Sequence, residues 1–133
     1  MAQKTGVEAR TKIAPWAHVL AVNDIDRSAR YFCQRLGFTL AWSEASDWRL
    51  VQRDGVRIML GKCPDVTPAV QIGPHSWFAY LDAEDVDKLH SEFLASEAII
   101  LQPPKDTSYR MREIVVGTPD GHRIVFGQDV KSR

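Results

Sequence analysis

The stretch TPDGHRIVFGQ, residues 118–128, decides the fold, because the chain has already used it once. DGVRIMLGK, starting at Asp54, matches DGHRIVFGQ, starting at Asp120. Each copy sets an Asp-Gly pair before a short apolar run, which reads as a tight hairpin turn feeding a strand. A second match lies upstream. NDIDRSARYFCQRLGFTL from Asn23 aligns with EDVDKLHSEFLASEAIIL from Glu84, and Asp24/Asp85, Asp26/Asp87, Phe32/Phe93 and Leu40/Leu101 correspond in character. A repeat on this scale sets the architecture, so it is recognised before single elements are assigned.

Within the longer repeat, Ile25, Ala29, Phe32 and Leu36 recur at helical spacing, as do Val86, Leu89, Phe93 and Leu94, with Asp24 and Asp85 placed to cap the helix starts. Gly37 ends the first helix as a left-handed cap, whereas Ser96-Glu97-Ala98 departs from that chemistry in the second. The apolar runs predict strands over 16–22, 38–43, 48–53 and 57–61, and again over 76–82, 99–101, 111–116 and 123–127. The two copies of the final strand lie further apart in the chain than the two copies of the helix, which places extra loop at PPKDTSYR, 103–110. Each half is thus a βαβββ module. The expected fold is α+β, two pseudo-symmetric modules forming a curved mixed sheet around a cavity. One module alone leaves an apolar sheet face exposed; pairing two closes a shared concave cavity whose inner face is the natural ligand site. The expected organisation is a flexible arm over 1–13, one domain over 14–128 and a tail over 129–133. Within that domain, module one spans 14–63, a Pro- and Gly-punctuated linker 64–75 and module two 76–128.

Composition narrows the function. Seventeen basic and 17 acidic residues give a net charge of zero, so no basic stripe suits a phosphate backbone and nucleic acid is excluded as a partner. No run approaches the roughly 18 apolar residues of a membrane span, and no signal-peptide core is present, so the expected location is the cytoplasm. Cys33 and Cys63 form no C-x-x-C pair and read as reduced thiols.

VLAVNDIDRSARYFCQRLGF followed by YRMREIVVGTPDGHRIVFGQ resembles the vicinal oxygen chelate superfamily, which groups glyoxalase I, extradiol dioxygenases and bleomycin-resistance proteins, and within it the glyoxalase/bleomycin-resistance branch. The resemblance implies four metal-ligand positions, one on the first and one on the last strand of each module. Carried over residue by residue, the last-strand carboxylate falls on Met59 and on its repeat partner Val125, and the first-strand histidine on Ala17 and Phe78. None of the four can ligate a divalent cation, so no metal and no cofactor is expected. His18 is one residue out of register and points to the sheet's other side. His75 opposes the register as well, while His122 in the hairpin turn and His90 on a helix read as solvated or locally hydrogen-bonded.

An apolar, aromatic wall is expected instead. Met59, Phe78, Tyr80 and Val125 are its predicted members, Trp48 flanks a loop that covers the mouth, and Tyr109 with Arg112 or Glu113 fixes ligand polarity at the rim. Adjacent strand residues point oppositely, so only one of Arg112 and Glu113 faces the ligand, and the sequence leaves that choice open. Three functions follow. The first is a metal-free binding protein for a small hydrophobic or aromatic molecule, working as the homodimer that the resemblance implies. The second is a lyase or dioxygenase, with relocated ligands such as His75 and Glu113 or with metal-free acid–base catalysis by Glu113 and Tyr109. The third is an interaction module whose cavity is filled by side chains.

Overall fold

The computed structural model describes residues 10–42 and 44–130; most of the predicted arm, Ser43 and residues 131–133 lie outside them. Module one contains β1 (His18–Val22), α1 (Ile25–Arg35), β2 (Thr39–Trp42), β3 (Trp48–Arg53) and β4 (Val56–Lys62). A short 3-10 helix (Ala69–His75) occupies the linker, and module two follows with β5 (Trp77–Asp82), α2 (Val86–Ala95), β6 (Ile99–Asp106), β7 (Met111–Gly117) and β8 (Arg123–Asp129). The sheets have equivalent strand orders, β1-β4-β3-β2 and β5-β8-β7-β6. In each, the first strand runs parallel to the last and the remaining pairs are antiparallel.

Local chemistry explains the elements. The Asp24 carboxylate accepts from the Asp26 and Arg27 amides at 3.1 and 3.0 Å, and Asp85 accepts from Lys88 at 3.0 Å, so both helices begin on a side-chain cap. Both also end in the same left-handed geometry. Gly37 supplies it with φ +77°, and Glu97 adopts φ +64° at the corresponding place, so the backbone repeats where the expected departure in residue type does not matter.

Two loops differ from expectation. β6 continues through Pro103 and Pro104 to Asp106, leaving only a tight turn where a longer loop was expected. As the edge strand it tolerates missing N–H donors, and its pairing slips between Gln102 and Lys105, where the prolines sit. The second Asp-Gly turn is also longer than a tight hairpin. Arg53 pairs with Val56 across Asp54 and Gly55 alone, whereas Gly117 pairs with Arg123 across the whole of 118–122. The added length carries Asp120 to module one, where its buried carboxylate accepts from the Asn23 amide at 2.9 Å and from Arg27 at 2.5 Å. The Asp120 carbonyl takes the Val70 amide of the linker at 3.1 Å. A Cβ on Gly121 would collide with the Val70 backbone, so this contact demands glycine.

The modules join through their helix-bearing faces. Phe32, Leu36 and Phe93 of the helical segments meet Leu20, Val22, Ile58 and Leu60 of one sheet and Ile114, Val116, Ile124 and Phe126 of the other in a single core. Polar clasps cross the same seam: Arg53 to Glu92 at 2.7 Å, Ser96 Oγ to the Arg35 carbonyl at 2.5 Å, and the Tyr31 hydroxyl to the Gly117 carbonyl at 2.5 Å. The two-module α+β architecture is as expected, but the modules meet helix side to helix side, so the faces that carry Met59 and Val125 do not enclose a shared cavity within one chain. Each helix covers only part of its sheet's apolar face, and the remainder is buried against the other module. The opposite, outer sheet faces stay at the surface, with Val19 61% and Tyr80 49% exposed.

The Asp120 clamp has no counterpart in Asp54, which is solvent-exposed with only a distant Arg53 partner at 3.8 Å. Asp120→Ala removes the buried acceptor of the Asn23 amide and the Arg27 guanidinium, both of which water can still reach, and is expected to cost about 1–1.5 kcal/mol. Asp54→Ala is expected to stay within about 0.5 kcal/mol. Urea unfolding of both variants checks this; equal midpoints would remove the clamp from the account.

Candidate functional site

Strand pairing defines what each outer face carries. In module one Val19 of β1, Met59 of β4 and Leu50 of β3 form one row, and Ala21, Gly61 and Trp48 the next. In module two the equivalent rows are Tyr80, Val125 and Val115, then Asp82, Gly127 and Glu113. Leu50, Val115 and Val125 are buried yet stand apart from the shared core, as residues on the far side of the sheets must. The glycines permit two large rings to lie flat on these faces. A Cβ on Gly61 would meet the Trp48 ring at 2.9 Å, and one on Gly127 would collide with the Tyr80 hydroxyl.

Tyr80 uses that space to cross Gly127 and reach Glu113. Its hydroxyl donates to Glu113 Oε2 at 2.7 Å, and the Tyr109 hydroxyl donates to the same oxygen at 2.7 Å. Three of the sequence-predicted residues therefore converge on one carboxylate. Burial, together with the hydrogen bond to Glu113, raises the Tyr80 phenol well above its ordinary value, and the Glu113 bond raises Tyr109. Both phenols thus keep their protons at neutral pH. They act as donors that hold the Glu113 side chain against the sheet, with Oε1 accepting from no side chain in the described residues.

The open choice between Arg112 and Glu113 is resolved. Arg112 points to the helix side, where it pairs with Asp87 of α2 and Asp106 of β6, each at 3.0 Å, so its expected place at the ligand rim is corrected. Phe78 is corrected too. A bulge between Trp77 and Ala79 breaks the parity of β5, so Trp77 faces outward beside Arg123 while Phe78 packs on the core, its ring edge-on to His18 at 6.2 Å and to His122 at 5.8 Å. Trp48, Met59, Tyr80, Glu113 and Val125 lie on the outer faces and not around a cavity shared by the two modules, where Met59, Tyr80 and Val125 were expected; Tyr109 reaches the same side as Glu113. Trp77 was missed, since a one-residue bulge has no signature in this sequence, whereas Gly61 and Gly127 stood in plain view as the repeated LGK and FGQ. His122 is half-buried, bonded through Nδ1 to Thr118 at 3.0 Å, and burial lowers its pKa.

Two concavities are present, and Val19, Ala21 and Trp77 of the outer faces line the second. A cavity of about 460 Å³ opens on the seam between the modules, on the helix-bearing side, floored by Leu36, Phe38, Leu89, Phe93 and Phe126. One of about 250 Å³ sits between β1, the linker and the start of β5, and it borders Ser76, whose buried hydroxyl has no protein partner among the described residues. The outer faces themselves are open surfaces in the single chain.

The four inherited metal positions do not fit a metal. Met59 and Val125 offer no hard donor, Ala17 none, and the bulge replaces Phe78 by Trp77 at the outer face. No group of three or more His, Cys, Asp or Glu side chains converges among the described residues.

Two βαβββ modules, each with a helix on one sheet face and the other face open, define a paired-module α+β protein. The chain belongs to the Glyoxalase/Bleomycin resistance protein/Dioxygenase superfamily, whose model matches residues 14–126. Solved structures of similar fold include a bleomycin resistance determinant encoded on the transposon Tn5, at 20% identity and TM-score 0.71, covering 90% of this chain and 98% of that one. The bleomycin-binding protein of bleomycin-producing Streptomyces verticillus, complexed with copper(II)-bleomycin, matches at 19% identity and TM-score 0.70 over 88% and 97%. TioX from Micromonospora sp. ML1 matches at 21% identity and TM-score 0.67 over 86% and 95%. No curated protein matches the sequence.

The chain has three tyrosines, and the third, Tyr31, is raised by burial in the seam. Absorbance titration of the native protein is therefore expected to show no phenol ionising near the ordinary value of about 10. In Glu113→Gln, Tyr80 and Tyr109 are expected to move back towards it while Tyr31 stays high. A titration unchanged by the substitution would show that Glu113 does not hold the two phenols.

Proposed function

We propose that this protein binds a small aromatic or amphipathic molecule on its outer sheet faces, without the metal used by other members of the superfamily. It acts as a homodimer in which a second copy roofs the open faces into cavities. The observation that carries the reading is the donor set: all four inherited positions are apolar or aromatic, and the surfaces around them hold Trp48, Trp77, Tyr80 and Tyr109. Aromatic faces of this kind suit stacking on flat ligands. The likeness in fold to a bleomycin-binding protein and to a bleomycin resistance determinant supports a binding role over a catalytic one. Exposure of Val19, Leu101 and Tyr80 on the outer faces supports a covering partner, since monomers seldom leave such apolar sheet surface open. Two free cysteines suit the reducing cytoplasm.

A second reading has one specific observation behind it. Glu113, fixed by two phenols and with Oε1 unclaimed by a side chain among the described residues, is placed as a general base for a metal-free proton transfer. Under that reading Glu113→Gln abolishes turnover of a bound ligand; under the first it changes affinity only.

Light scattering is expected to give a mass twice the 15.0 kDa of the chain. Added Ni, Zn or Mn is expected to leave the melting temperature unchanged, whereas a bound aromatic compound at about a hundred times its Kd should add about 2.7 kcal/mol. For a domain of this size that raises the melting temperature by at least about 4 °C. Stoichiometric metal in protein purified without chelator would sink the metal-free reading, and a monomer would sink the roofed cavity.

A further inference from the structure

A pairing of arginine with tryptophan repeats with the fold. Arg57 and Arg123 occupy the same place in DGVRI and DGHRI, and Trp16 and Trp77 stand at the entry to the first strand of each module. Arg57 Cζ lies 5.3 Å from the Trp16 ring centre, and Arg123 Cζ lies 5.5 Å from that of Trp77. The two arginines and the two tryptophans are spaced differently along the chain, so the fold, not local sequence, reproduces the pair. Arg57 and Arg123 each sit two residues before Met59 and Val125 on unbroken strands, and so share their outer face.

These two guanidinium groups differ from the others that the structure ties down. Arg27, Arg49, Arg53 and Arg112 all meet carboxylates, whereas Arg57 and Arg123 have no acidic partner among the described residues. A guanidinium lying on an indole has its face occupied and its N–H edge free, which is the edge that takes a carboxylate or sulfonate through two parallel hydrogen bonds. Trp42 stacks on Trp16 at 6.4 Å and 29°, extending the first aromatic floor. The ring contact between His18 and Phe78 draws the starts of β1 and β5 together, and with them the ends of the faces that carry the pairs. The acids of module two, Asp82 and Glu113, lie at the far row, about 13 Å along the strand from Arg123. In module one that row holds Ala21, Gly61 and Trp48 and no acid.

We infer that the ligand class is an anionic aromatic: a flat ring system bearing a carboxylate or sulfonate, with the anion held by Arg57 or Arg123 and the ring stacked on Trp16, Trp42 or Trp77. This rests on the reading that the outer faces bind a small molecule, and it names the charge that they select.

Three isosteric probes separate the two claims by calorimetry: 2-naphthoate, neutral 2-naphthamide and cationic 2-naphthylmethylammonium. The expected result is naphthoate binding at least about tenfold tighter than naphthamide, with the ammonium weakest. R57Q/R123Q is expected to weaken naphthoate by about tenfold and to leave naphthamide within about twofold, with the far-UV dichroism unchanged. R57K/R123K should recover only part of the loss, because lysine restores charge without the planar stack. Equal or tighter binding of the amide or the ammonium overturns the anionic class while leaving a small-molecule function standing. So does a naphthoate preference that survives R57Q/R123Q. Absence of binding by all three overturns the inference, and only a blank wider thermal-shift screen would take the function with it.

Discussion

The structure depends on one seam. Phe32 and Leu36 from one module and Phe93 and Phe126 from the other lie in a single core, so neither helix has a complete apolar environment without both sheets. That constraint decides which sheet faces are inside. Once the helix-bearing faces are buried against each other, Val19, Met59, Tyr80 and Val125 must stand on the outer faces, whatever their chemistry. A surface made this way is set by the core beneath it, and its side chains answer to strand register more than to loop conformation.

Duplication supplied two equivalent faces, and small differences made them chemically unlike. The glycine in the last strand is kept in both modules, but the ring that uses the space is Trp48 over Gly61 and Tyr80 over Gly127. The phenol can reach across the strand to a carboxylate, and the indole face offers only stacking. The Asp-Gly turn diverged in the same manner. A tight turn suffices at Asp54, while the longer version brings Asp120 to the start of α1 and ties the linker at Val70. The second module thus holds the first in place through polar contacts that its twin never makes.

Much of this was legible in the sequence because the repeat states it twice. Helix spacing, Asp caps and the paired Asp-Gly strands located both modules, and the same register put Met59 and Val125 where a metal ligand would stand. What stayed hidden involved a single residue of slippage or a choice between faces. The bulge at Trp77 reversed the expected direction of Phe78, since an extra residue in a strand leaves no trace in hydrophobic period. Pro103 and Pro104 argued for a loop, and only the edge position of β6 made them acceptable in a strand. Arg112 and Glu113 were indistinguishable until the positions of Asp87 and Asp106 showed where a guanidinium would find its partners. The pairing of modules through helices was hidden for a different reason: each sheet has two apolar faces, and a pattern that alternates cannot say which of them meets the other module.

A surface without metal ligands is not without chemistry. A cation held by His and Glu concentrates positive charge at one point and demands hard donors around it. On the outer faces here the positive charge comes instead from Arg57 and Arg123, each spread over a planar group and laid on an indole. Such a charge is weakly hydrated and fixed in orientation, so it meets an anion with little loss of hydration or side-chain entropy. In module two Glu113 adds a carboxyl group at the opposite end of the same face, too far along the strand to reach Arg123 and held in place by Tyr80 and Tyr109. The strand register, not the phenols, separates the two groups, so the face carries a guanidinium at one end and a carboxyl group at the other whatever the side-chain rotamers.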